Sequence, residues 1–164
     1  MKNFRVNTRT KIIIVVILLL ASVTVSVFAQ RHGNYFIIFN GYRKDVSNVI
    51  NRNGRLYYPA RELVDGLVTR NGATLGVSWN GHNQPFYIFY GGNSMGMTVG
   101  SPMVSIGNGM HYKQMSTVPF LHTDGRVYVP IRYVYEHFGW SVTFNETLRV
   151  PEVRSHDGIY LFTP

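Results

Sequence analysis

Two stretches of the chain carry apolar residues at the offsets i, i+3, i+4 and i+7. They are Ala60, Leu63, Val64 and Leu67, then Ile131, Val134, Tyr135 and Phe138. That spacing lines one face of a helix and predicts two short helices, each lying on a sheet. Elsewhere the period is two. Arg55–Tyr58 and Arg126–Val129, rich in aromatic and β-branched residues, predict short strands ahead of the helices. Gly76–Asn80 and Ser141–Asn145, each ending in an aromatic residue and Asn, predict strands behind them. Phe86–Tyr90 and Met95–Val99 predict a hairpin across Gly91-Gly92-Asn93. Pro102–Ile106 and Val118–Leu121 lead into the second helical unit, and Tyr35–Phe39 and Val46–Ile50 into the first.

The two helices sit inside near-identical phrases, "NGRLYYPAR" (Asn53–Arg61) and "DGRVYVPIR" (Asp124–Arg132). Asn-Gly and Asp-Gly are hairpin dipeptides, suited to central positions of positive φ. Pro59 and Pro130 end each strand, having no N–H to donate, and their fixed φ suits the start of a helix. Gly66 falls in the last turn of the first stripe, and Gly139 fits a C-cap after the second. The step from Trp79 to Phe144 is shorter by six than the step from Asn53 to Asp124. The first copy therefore carries six extra residues between helix and strand, within "TRNGATLG". One such unit cannot bury its own apolar face, whereas two pooled units can. The expected fold is α+β: two fused strand–helix–strand repeats, mainly antiparallel sheet packed against two short helices, at about 35–100 and 101–154, with a C-terminal tail strand. Pro151 predicts that the last repeat strand is broken or at an edge, to be capped by Ile159–Phe162 or paired with a second copy.

The segment Met1–Ala29 stands apart. Lys2, Arg5, Arg9 and Lys11 precede an apolar run from Ile12 to Ala21, and Val27-Phe28-Ala29 supplies small residues before a cut after Ala29. This order predicts a secretory signal peptide. The competing expectation is a retained anchor, for which Ile12–Phe28 is at the short limit of length. Either way 30–164 is expected outside the cytoplasm, as a single domain. The leader holds four of the 16 Lys/Arg and none of the 8 Asp/Glu, which leaves 12 bases against 8 acids and a net charge of +4. The remaining bases are scattered, so no nucleic-acid partner is expected. The chain has no cysteine, which excludes disulfides, thiolate metal sites and a lipidated N-terminal cysteine. Exported and free of cysteine, the chain suits a bacterial envelope.

The paired phrases, each followed by an amphipathic helix, Gly and then "VSWN" or "VTFN", resemble the copper amine oxidase N-terminal domain-like family, the stalk domains of secreted bacterial proteins. "MTVGSPMVSIGNGM" is similar to that family's linker between units, and the resemblance covers about Tyr35 to Val153. It implies an antiparallel α+β module, accessory and non-catalytic. The repeat-motif positions Gly54, Arg55, Tyr57, Pro59, Arg61 and Trp79, with Gly125, Arg126, Tyr128, Pro130, Arg132 and Phe144, would then be structural. Tyr58 in place of Val, the enlarged loop and Pro151 depart from the family's pattern.

The family name invites copper, but the six histidines show neither His-x-His nor i, i+4 spacing, and Asn34-Tyr35 is followed by Phe36 rather than an acid. No metal, no cofactor and no catalytic residue is expected. Arg61 and Arg132 precede Asp65 and Glu136 by four positions, as intrahelical pairs in the less favourable orientation or as anion-binding groups. Glu62 has Tyr133 at its place in the second copy, so no repeated carboxylate pair is suggested. Asn145-Glu146-Thr147 is a glycosylation sequon only in a eukaryotic secretory pathway. Aromatic residues are dense: 21 of the 23 lie outside the leader. Within Phe86–Tyr90, alternation puts Tyr87 and Phe89 on one face, either buried or presented to solvent; with Trp140 they are the candidate binding surface. The expected role is an envelope module that binds or scaffolds wall polymer or another exported protein. The alternative is carbohydrate binding by exposed aromatics. The residues do not indicate an oligomeric state.

Overall fold

The computed structural model describes residues 35–68, 75–79, 81, 85–107, 109–156 and 160–161. The expected signal peptide or anchor, most of the enlarged loop, Asn34 and Asn80 lie outside the described residues. The first half of the chain forms β1 (Tyr35–Phe39), β2 (Tyr42–Val46), β3 (Ile50–Arg52), β4 (Arg55–Pro59), α1 (Ala60–Val64), β5 (Leu67–Val68) and β6 (Gly76–Trp79). Four strands follow: β7 (Phe86–Tyr90), β8 (Asn93–Met97), β9 (Met103–Ile106) and β10 (His111–Gln114). The chain continues with β11 (Phe120–Leu121), β12 (Val127–Pro130), α2 (Ile131–His137), β13 (Ser141–Asn145), β14 (Val150–Arg154) and β15 (Tyr160–Leu161).

The strands form sheets in the orders β13-β14-β1-β2, β10-β9-β8-β7-β6 and β11-β12-β4-β3, with β15 beside β5. The pairing is antiparallel except between β1 and β14. The architecture is thus mostly antiparallel sheet with two short helices. No helix among the described residues is long and apolar enough to cross a membrane.

The two motif copies meet directly. β4 and β12 pair antiparallel with Tyr58 opposite Val129, flanked by Tyr57 opposite Pro130 and Tyr128 opposite Pro59. Each proline holds the last rung, where its missing N–H costs no ladder bond further on. The buried side chains of both helices, Leu63 and Val64 from α1 and Val134 and Tyr135 from α2, share one core with Tyr58, Val129, Ile88 and Met95. Tyr135 donates its hydroxyl proton to the Leu63 carbonyl at 2.7 Å, tying the helices together inside that core. Burying side chains of this size contributes about 1.5–3 kcal/mol each.

Several expectations are corrected. At Asn53-Gly54 both residues take positive φ, but in the second copy only Gly125 does. There Asp124 instead turns its carboxylate onto the Arg126 N–H at 3.0 Å. α1 ends at Val64, because Asp65 is extended and Gly66 has φ 75°. Leu67 stays buried, but on a strand. Val46–Ile50 is not a strand: β2 ends where it was expected to begin, and β3 starts at its end. β10, exposed along its length, was not anticipated. Pro151 lies in an interior strand. β14 pairs with β13 through Pro151 opposite Phe144, and its ladder to β1 begins only at Glu152, so the proline faces no partner that needs its N–H. The tail strand is real but caps β5 rather than β14.

Candidate functional site

The five-stranded sheet has one face in the core and one in solvent, and β7 shows why. Phe86, Ile88 and Tyr90 are buried, whereas Tyr87 is half-buried and Phe89 is 42% exposed. The register runs Ser78–Tyr87–Gly96–Ser105–Tyr112 straight across all five strands on the solvent side. Phe89 sits one row away, between Gly76 and Ser94.

The two glycines are seats for the rings. A Cβ on Gly76 would collide with the Phe89 ring, and one on Gly96 would lie 2.6 Å from Tyr87 Cε1. Each aromatic side chain therefore leans over the neighbouring strand, into space that any larger residue would fill, and lies along the sheet. Tyr87 and Phe89 are about 7 Å apart along the strand. Tyr112, 70% exposed, stands about 14 Å from Tyr87, three strand spacings away. Met103, also exposed, adjoins this row. The result is a rigid sheet surface carrying three accessible aromatic side chains over a floor of glycine and serine. Such a surface can stack against the apolar faces of sugar rings, whose hydroxyls the serines can meet.

The motif residues form a second constellation, around the β4–β12 pair. Tyr57 shares a hydrogen bond with the Thr117 hydroxyl, and the Tyr128 hydroxyl accepts from Asn48 Nδ2 at 3.0 Å while donating to Asp124 at 2.8 Å. Burial first, and the Asp124 carboxylate second, push the Tyr128 phenol up to about 12. Burial opposes charge on Asp124, but bonds from the Arg126 N–H, Tyr128 and His122 outweigh it and hold that carboxyl below its ordinary value. Arg55 donates to the Ser116 carbonyl at 2.6 Å, and Arg126 to the Ser47 hydroxyl and Glu62. Each motif thus anchors on the segment leading into the other. No sequence signal singled out Asn48, Ser47, Ser116 or Thr117, polar residues whose partners lie some 60 to 80 positions away.

Trp140 does not belong to the exposed surface. It is 2% exposed and packs edge-on against Phe39 and Tyr90, stacked on Tyr135 and tilted against Phe138. Gly139, at φ 79°, ends α2 and the following Trp140 ring lies in the core, its indole N–H buried without a hydrogen-bond partner among the described residues. Trp79 and Phe144, at matching motif positions, are instead partly exposed, 36% and 41%. Arg132 pairs with Glu136 at 3.7 Å, but no ion pair joins Arg61 to Asp65 among the described residues. Asp65 has left the helix, and its carbonyl takes the buried Lys44 ammonium.

A model of the family described as Copper amine oxidase N-terminal domain matches residues 38–153. No curated protein and no solved structure matches the chain. The described residues do not fit the copper that this description implies. No three His, Asp or Glu among them converge; His122 is turned to Asp124 and the Phe120 and Tyr128 rings, while His137 lies against Phe138.

Proposed function

The chain belongs to the copper amine oxidase N-terminal domain family, and from that premise we propose that it is an exported, non-catalytic module that binds a polysaccharide of the bacterial envelope. The N-terminal domain of copper amine oxidase is itself a non-catalytic accessory domain. In this reading residues 1–29 are the signal peptide, and the two motif copies head fused strand–helix–strand repeats whose job is to hold a binding face rigid. The observation that carries it is the seating of Tyr87 on Gly96 and Phe89 on Gly76. Aromatic rings preorganised on a sheet lose little entropy when a flat ligand stacks on them. The net charge of +4 on 30–164, from 12 bases and 8 acids, adds a weak attraction to anionic wall polymers.

The test is retention of residues 30–164 on purified peptidoglycan and on insoluble neutral polysaccharides. Tyr112→Ala and Tyr87→Ala are each expected to weaken retention about tenfold, equivalent to about 1.4 kcal/mol, with the melting temperature of Tyr112→Ala unchanged. Retention by both variants equal to that of the unsubstituted chain, or absent on every polymer, refutes the proposal.

A further inference from the structure

Two clefts flank the β4–β12 pair, and they are built from corresponding motif positions. One, of about 430 Å³, lies between the Gly125-Arg126 turn and Pro59–Glu62 with Trp79. The other, of about 500 Å³, lies between the Gly54-Arg55 turn and Pro130–Tyr133 with Phe144. In the smaller cleft Glu62 fills the space before the arginine. Its carboxylate sits 2.8 Å from Arg126 Nη1 and accepts the N–H and hydroxyl of Ser47, both at 2.6 Å. In the larger cleft the residue at that place is Tyr133, which brings no charge, and Ser116 lines the cleft with its carbonyl on Arg55. Arg55, exposed, meets only the Ser116 carbonyl, so most of its five N–H donors have no partner among the described residues.

The larger cleft is therefore lined by two arginines and one glutamate, the smaller by two arginines and two carboxylates. Beside Arg55 its wall is apolar: Leu56, Ile131, Val142, Pro151 and the half-exposed ring of Phe144. We propose that this cleft binds an acidic peptide segment of a partner protein, with a Glu or Asp carboxylate on Arg55 where Glu62 lies on Arg126, and a neighbouring apolar side chain against Phe144. The chain thus carries the ligand's chemistry inside itself, in the cleft where Glu62 already pairs with Arg126. The aliphatic part of that wall, Leu56, Ile131 and Val142, favours a peptide over an anionic glycan, whose flanks would present hydroxyls to it.

The probe is the blocked pentapeptide Gly-Leu-Glu-Leu-Gly, with its Gln counterpart as control, titrated into the full 30–164 chain and followed by NMR. The Glu peptide is expected to bind about tenfold more tightly than the Gln peptide, and high salt is expected to erase the difference. Tyr133→Glu, which supplies an internal carboxylate as in the other cleft, should abolish binding. Arg55→Gln, a change at an exposed side chain, should remove the Glu preference while the chain stays folded, with only a small fall in melting temperature from the lost bond to Ser116, and it decides the matter if Tyr133→Glu does not fold. Equal binding of the two peptides, no binding at millimolar peptide, or an unaltered preference in Arg55→Gln overturns the proposal. So does polygalacturonate binding through Arg55 in the absence of peptide binding.

Discussion

At the residue scale, matching positions of the two motif copies do different work, and small changes of side chain decide which. Asn53 sits in a turn with positive φ, while Asp124 at its place keeps an ordinary φ and becomes an acceptor for Arg126 and Tyr128. Hydrogen bonds hold its carboxyl below the ordinary value despite burial. In the unfolded chain the same group binds its proton more readily. Asp124 therefore contributes stability above the ordinary carboxylate pKa, and that contribution is lost as pH falls through the range down to its lowered folded value. Asp124→Asn should lower stability at neutral pH by about 1 kcal/mol and flatten the acid limb of stability against pH. Urea unfolding across pH 2–7 measures both, and a parallel acid limb would refute this assignment. Trp140 illustrates the opposite limit. Its type and its unmatched position made it a surface candidate, yet five aromatic rings including its own close around each other in the core.

At the element scale, β7 is legible from alternation alone: two aromatic faces, one of which must meet water or another layer. Which one did not follow, because that depends on what β6 and β8 place beside it. Gly76 and Gly96 are the answer, and each became meaningful only once the register set Phe89 and Tyr87 against it. Gly76 does not take the left-handed φ that favours glycine, so its requirement is space and not backbone freedom. Gly76→Ala should force the Phe89 ring off the sheet, at about 1–3 kcal/mol, and weaken polysaccharide retention in parallel. Urea unfolding and the retention assay read these separately, and an Ala variant as stable and as retentive as the parent would show that the seat is unnecessary. The helices were legible in type but not in length. α1 gives up its last turn at Asp65-Gly66, and Leu67 reaches the core from a strand instead.

At the scale of the whole molecule, the leader and the domain make one joint prediction. If Ala29 precedes a cleavage site, intact mass of the native protein should match a chain starting at Gln30, recovered from medium or wall extract. A full-length mass in the membrane fraction would instead make Ile12–Phe28 an anchor and move the search for partners to the membrane surface. Residues 30–164 without cysteine must be held by burial, and the shared core spanning both helices and all three large sheets supplies it.

The sequence by itself determined the turn, strand, proline and helix order of each motif, the family, and the face of β7 that carries Tyr87 and Phe89. Those are local properties: the turn-forming glycines, side-chain period, and the missing N–H of proline. Only the tertiary structure decided that Pro151 sits in an interior strand, that Trp140 is core, that glycines seat the aromatic rings, and that Glu62 fills one cleft while Tyr133 leaves the other open to charge. Each of these depends on what a residue meets from a segment distant in sequence. Period and propensity carry no information about that partner, because burial and pairing are set by the register of strands that meet only after the chain has folded.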